Sequence, residues 1–339
     1  MIHTIEEAIA KVRYVQLDSE FSPQQILHMV LAGGTAQTLF DLQSGSHQSA
    51  VEFLCRGTRE VPGYPISGGI VKENEHGPYF ARGVKSFPAN EQPNQFLGTL
   101  ALTGVHFDET AILSEHGCHG TLSDMAEAAM RSYVDSEEER GWSLMLFSFY
   151  PGVTKEWKNH RGEDQSVEKI LARACRRPYG AEPYLGTPVI EGIAVAVSRF
   201  CQEHDAEPSK LDGVWRQGWN YLDGALRLIR KNQLENGSIP RCWFKEKPYP
   251  RSSLEWNEML KGVWLRRFRP ALSIVYPTGH ILDSISPISI LLGPDRDWIY
   301  NALYFTAQTI ESQWVELASE ISALAHAIHA LKVLGKGWI

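Results

Sequence analysis

The chain has 339 residues, 43% apolar and 22% charged, with a formal net charge of −7. That balance excludes a chain disordered by composition. The acidic sum excludes a nucleic-acid binder held by phosphate contacts, which needs a concentrated basic face. No run reaches the roughly 18 consecutive apolar residues of a membrane span. Met1 to Val12 carries Glu6 and Glu7 and lacks the basic-then-apolar order of a secretory signal. The five cysteines, Cys55, Cys118, Cys175, Cys201 and Cys242, are odd in number and widely spaced. Such usage suits a reducing compartment, so the cytoplasm is the expected location.

Taken in chain order, the elements read as mostly helical. Ile26, Leu27, Val30 and Leu31 share one face of a helix from Pro23 that stops at Gly33-Gly34. Residues 57–93 break the pattern: Pro62, Gly63, Pro65, Gly68, Gly69, Gly77, Pro78, Gly83, Pro88 and Pro93 exclude a regular helix. A segment of that length with Tyr64, Tyr79, Phe80 and Phe87 reads as a loop-rich insertion or lid. Thr121 and Asp124 form a capping-box pattern opening a helix through Tyr133. The apolar run Trp142 to Tyr150 reads as a buried helix. Ser166 opens a helix that Pro178 ends, and Thr187-Pro188 is expected as N-cap and first turn of the next. Leu211 to Gln233 and Ser312 to Leu334 keep the helical period, the latter as one continuous final helix. The basic stretch Arg266, Arg267 and Arg269 reads as a solvated face.

Leu222 to Ser238, an apolar helix ending at Gln233 before Asn236-Gly237-Ser238, resembles the repeat of helical toroids such as terpenoid cyclases and protein prenyltransferases. Ile239 stands where that repeat usually has Trp, and Trp243 follows later. Pro93 to Leu97, Trp157 to Glu163, Thr278 to Asp283 and Leu324 to Ala327 are similar to a poorly characterised, planctomycete-like bacterial family of the same toroid. Gly186-Thr187 fits that pattern, with Pro188 where His is expected. The resemblance implies a mainly α fold: one α/α toroid over residues 1–339, with the irregular 57–93 segment inserted. It implies no agreed activity. The Asp-x-Asp-Asp and Asp-Asp-x-x-Asp motifs of terpene cyclisation are absent.

Four constellations could carry chemistry. His106, Asp108, Glu109, Glu115, His116, Cys118 and His119 crowd one stretch, and His116, Cys118 and His119 supply the donor types that zinc takes. Cys118-His119-Gly120 is similar to the zinc-binding Cys-His-Gly of lanthionine cyclases, although their Gly-Trp-Cys is missing here. Apart from zinc, no cofactor is expected. His280 and Asp283 lie three apart near an expected helix start and can face one side as an acid/base centre. Glu163 or Glu191 would be the second carboxyl group. His326 and His329, also three apart, read as a core-edge pair, because Ala325 and Ala327 replace the pattern of a metalloprotease helix. Trp157, Asn159, His160, Arg161 and Glu163 combine aromatic, amide and carboxylate in the palette of a sugar site, and equally read as a loop connecting helices. Glu255 to Glu258 repeats that palette.

Three readings follow. The first is an enzyme acting in a central toroid cavity on a glycan or polar small molecule. His280, Asp283, Glu163 and Glu191 would be its catalytic groups, and Trp157, Asn159, Thr187 and His326 its substrate contacts. The second is a non-catalytic helical-repeat protein that binds a protein partner. The third is an isoprenoid-binding enzyme without the usual acidic motifs.

Overall fold

The fold is known from a computed structural model. It describes residues 2–12, 21–41, 45–56, 70–80, 94–114, 117, 119–137, 139–180, 186–245, 270–293, 296–317 and 320–336. These residues are mainly helical, with only small two-stranded sheets. Backbone contacts divide the chain into two compact units, Gln16–Ala174 and Met1–Val15 with Cys175–Ile339.

In the first unit, α2 (Pro23–Gly33) opens on a complete capping box. Gln25 N donates to Ser22 Oγ at 3.2 Å, and Ser22 N donates back to Gln25 Oε1 at 3.0 Å. Two orphan amide donors are thereby satisfied where proline at the first turn needs none. Further along come α3 (Ala50–Arg56), α4 (Gln95–Leu102), α5 (Leu122–Ser132), α6 (Arg140–Phe147) and α7 (Val167–Ala174). The Trp142 to Tyr150 run is helical as α6 through Phe147 and then passes into a wider turn that kinks at Tyr150, whose backbone is extended (φ −141°, ψ 116°). Leu144, Met145, Leu146 and Phe147 are fully buried there. The helix after Ser166 ends at Ala174, ahead of Pro178.

Strands are the departure from the sequence reading. Four antiparallel hairpins form: β1–β2 (Thr38–Asp41, Ser46–Ser49), β3–β4 (Val71–Asn74, Gly77–Phe80), β5–β6 (Ala111–Leu113, His119–Thr121) and β7–β8 (Glu156–Lys158, Asp164–Ser166). Each strand has three or four residues, too short for alternation to register as a signal. Within the 57–93 insertion, residues 70–80 are a hairpin, pairing Val71 with Phe80 and Asn74 with Gly77. Residues 57–69 and 81–93 lie outside the described residues, as do Arg266, Arg267, Arg269 and the stretch 255–258.

The second unit holds α1 (Ile2–Val12), α8 (Thr187–Glu203), α9 (Gly213–Asn232), α10 (Pro270–Ile285), α11 (Asp297–Ser312), α12 (Trp314–Leu317) and α13 (Ile321–Lys336). α10 packs against α8, α11 and α13, and α1 packs against α11 and α13. Two boundaries correct the sequence reading. Thr187 is the first helical residue of α8 and not its cap; Gly186 caps it with φ +75°, backbone open to glycine at little cost. The expected continuous helix 312–334 is instead two pieces, α12 and α13, after a break at Gln313. The apolar period stays in phase across both gaps, so periodicity alone joins them.

The repeat-like segment folds largely as its residues suggest. α9 ends at Asn232. Gln233 Nε2 then donates to Gly237 O at 2.8 Å and to Trp298 O at 2.7 Å, tying the turn to the start of α11. Gly237 has φ +88°, and a Cβ there would stand 2.3 Å from Asn301 O, so no other residue fits. Ile239 and Trp243 are fully buried. Ile239 N donates to Thr278 Oγ1 at 3.0 Å, which fastens the turn to α10.

Candidate functional site

The two spacings of three found on separate helices converge in the second unit. On α10, Tyr276, His280 and Asp283 follow one another at intervals of four and three and share a face. On α13, His326 and His329 do the same. Asp283 sits between that pair: its Oδ2 accepts from His326 Nδ1 at 2.5 Å and its Oδ1 from His329 Nδ1 at 2.5 Å. An ionised carboxylate can only accept, so both imidazoles carry their proton on Nδ1. The His280 ring packs against His326 with centroids 3.9 Å apart and planes tilted by 35°, and the Tyr276 ring lies 4.3 Å from that of His280.

Asp283 is wholly buried. Burial by itself would raise its carboxyl, but the His329 charge and the hydrogen bonds from His326 and His329 outweigh it and hold the group well below the usual carboxylate range. The His326 side chain is 8% exposed and that of His329 14%. Solvent therefore approaches the cluster more readily at His329.

Glu191 faces the same cluster from α8, one turn beyond the buried Thr187. It is 5% exposed. Burial first, and the negative charge of Asp283 second, push its carboxyl well above the ordinary range. No hydrogen bond reaches that carboxyl from the described residues. Two carboxyl groups in one environment are thus driven apart, Glu191 toward the neutral acid and Asp283 toward the anion. Such a split assigns acid and anion roles in proton-transfer sites.

His280 and Asp283 were expected near a helix start. They lie instead in the closing turns of α10, which already begins at Pro270. Pro277 inside the helix lacks an N–H and removes one rung of the ladder, which is why a sequence reading starts the helix after it.

Thr187 opens α8 in this unit, while Trp157, Asn159 and Glu163 occupy the first unit. Trp157 Nε1 donates to Met130 O at 3.1 Å. Asn159 Nδ2 donates to Tyr133 O at 2.9 Å and to Glu163 Oε2 at 2.7 Å, while its Oδ1 accepts from Arg161 N and Glu163 N, both at 3.0 Å. These bonds shape the β7–β8 turn. His160 belongs to the same turn and stacks on His76 with centroids 4.5 Å apart. His116 and Cys118 lie outside the described residues, and His119 is exposed on β6. Among the described residues, no group of three or more His, Cys, Asp or Glu side chains is arranged to hold a metal ion.

Sequence reasoning passed over His329 as part of the site and did not consider Tyr276. The signal for His329 was its spacing from His326, which matches that from His280 to Asp283; nothing in the sequence pairs the two helices. No protein-family model, curated protein or solved structure matches this chain.

Proposed function

We propose that Glu191, Asp283, His326 and His329 form an acid/base centre that turns over a small, neutral, oxygen-rich molecule, glycans included. The observation that carries this reading is the shared carboxylate: one buried Asp283 anchors two imidazoles through Nδ1 beside Glu191, a buried acid whose carboxyl is pushed up by burial and by the Asp283 charge. Asp283 positions both rings and stabilises either as an imidazolium, as the aspartate of a catalytic triad does for its histidine. His329, the more exposed of the pair, exchanges a proton at Nε2. Glu191 donates a proton to a hydroxyl, ether or carbonyl oxygen. His280 packs the His326 ring in place. The buried charge favours a polar ligand over an isoprenoid. We read the helices around the site as part of an α/α toroid, supported by the Gln233 to Ser238 turn, and the location as cytoplasmic.

The test is incubation of the full chain in deuterated water with a panel of mono- and oligosaccharides and small hydroxy-carbonyl compounds, read by NMR for exchange or product. Wild type should act on at least one class, while Glu191→Gln and His329→Gln, with wild-type melting curves, should lose at least 100-fold. Full turnover by Glu191→Gln would refute the assignment. Inactivity of the wild type across the panel would favour the second reading, a non-catalytic binding protein. That reading draws support from Asp283 having both oxygens already satisfied within the core.

A further inference from the structure

Gly279 precedes His280 on α10, and Ala327 follows His326 on α13. A Cβ built on Gly279 would stand 2.9 Å from Ala327 Cβ, 3.0 Å from Ala327 Cα and 3.1 Å from Ala327 N. Real Cβ atoms essentially never come that close to the first, and the other two are backbone atoms that cannot rotate aside. The two helices therefore touch almost backbone to backbone, one residue from each ring of the His280–His326 pair.

Helix separation depends on the side chains at the contact. Asp283 must reach His326 and His329, which lie about 4.5 Å apart along the α13 axis at the helical rise. One carboxylate satisfies both Nδ1 donors only at one depth and one register, because hydrogen bonds weaken steeply with distance and angle. We propose that Gly279 is a positioning residue: by lacking a side chain it seats α10 on the backbone of α13 at Ala327 and sets the depth at which Asp283 holds both histidines. Its bearing on catalysis rests on the acid/base reading above; the geometric statement does not. The groups facing the clamp are Tyr276 and His280 on α10, His326 and His329 on α13, and Glu191 on α8.

The experiment is ring-nitrogen NMR on full-length protein labelled at histidine, with far-UV circular dichroism as the check on folding. Wild type should show both His326 and His329 as Nδ1–H forms, assigned by single His→Gln variants. Gly279→Ala should stay helical but lose the Nδ1–H signature of one or both rings and shift their titration curves. Adding Ala327→Gly should restore the signature in part, since it removes the 2.9 Å contact and leaves those to Cα and N. Gly293→Ala, where a Cβ meets nothing within 4 Å, should change nothing. A wild-type signature in Gly279→Ala overturns the proposal. If Gly279→Ala does not fold, Ala327→Ser, which adds bulk from the opposite side, must disturb the same resonances, and unaltered resonances overturn the proposal. Loss of the signature together with an inactive wild type upholds the positioning role while refuting the acid/base reading. Loss of turnover with the signature intact does the reverse.

Discussion

Two aspartates, one in each unit, bridge two basic side chains, and the chemistry of those partners separates them. Asp135 accepts from Arg140 Nε at 2.9 Å and Nη2 at 2.7 Å, from Tyr133 Oη at 3.1 Å, and lies 3.6 Å from Arg173 Nη1. Burial pulls its carboxyl up, but the Arg140 hydrogen bond and charge, with Arg173 behind them, hold it below the usual range. Asp283 has two histidines in place of two arginines and is far more buried, its side chain 1% exposed against 21% for Asp135. A guanidinium does not release its proton, so the Asp135 cluster is a fixed joint between the loop before α6 and α7. An imidazole can change its charge state where a guanidinium cannot, so under the proposed acid/base reading the Asp283 cluster is the one suited to exchange protons. The difference teaches that one carboxylate geometry can be closed by partners of fixed charge or by partners able to change charge.

The contrast can be broken most forcefully at Asp283. Asp283→Ala should destabilise the protein by about 3–5 kcal/mol, the cost of removing one partner from a buried ionic cluster. Urea denaturation reads this, and a loss under about 1 kcal/mol would mean that the carboxylate does not hold the histidines. The sign with pH follows from its depressed folded pKa. Its stabilisation is present above the ordinary value of 3.8 and drains away as pH falls below that toward the folded value.

Glu191 runs in the opposite direction. Its folded pKa is raised, so its environment costs nothing below the ordinary value of 4.5 and costs progressively more as pH climbs through the folded value. Glu191→Gln should therefore be more stable than wild type at pH 8 and level with it at pH 4. Melting curves at the two pH values test this; an advantage independent of pH would show that Glu191 is not held neutral.

In the other unit, Asp135→Ala should cost about 2 kcal/mol, since charged hydrogen bonds are lost but the site is partly solvated. That cost should be flat between about pH 5 and 9, where neither Asp135 nor its arginines titrate. A cost that varies over this range as the Asp283 variant's does at low pH would erase the distinction between the two clusters. The smallest effect belongs to local structure alone: Ser22→Ala removes one half of the α2 capping box and should cost about 1 kcal/mol by thermal denaturation, with no change in the His326 and His329 resonances.

The helices were legible where local chemistry and period agree. Pro23 and the Thr121–Asp124 capping box mark their own helix starts, and Asp124 Oδ2 does accept from Thr121 N at 2.7 Å. The hairpins were not legible, because three-residue strands such as Glu156–Lys158 and Asp164–Ser166 carry no measurable period, and their turn is held by Asn159, whose role is visible only once its four bonds are drawn. The break between α12 and α13 was hidden by an apolar stripe that runs on in phase.

The candidate site divides in the same way. By itself the sequence determined which side chains can share a helix face: His280 with Asp283, and His326 with His329, since a separation of three residues puts two side chains on one side of any helix. It also determined the Gln233 to Ser238 turn, whose bonds are nearly all local. Only tertiary structure decided that the two histidine-bearing stripes face each other, that Glu191 joins them from α8, and that Asn159 and Glu163 serve a turn in the other unit. The reason is physical: a spacing of three fixes direction around one axis, whereas the meeting of Asp283 with His329, 46 residues away, depends on how closely two helices pack. That closeness turns on the missing side chain of Gly279, and a lone glycine in a sequence does not say what it lets near.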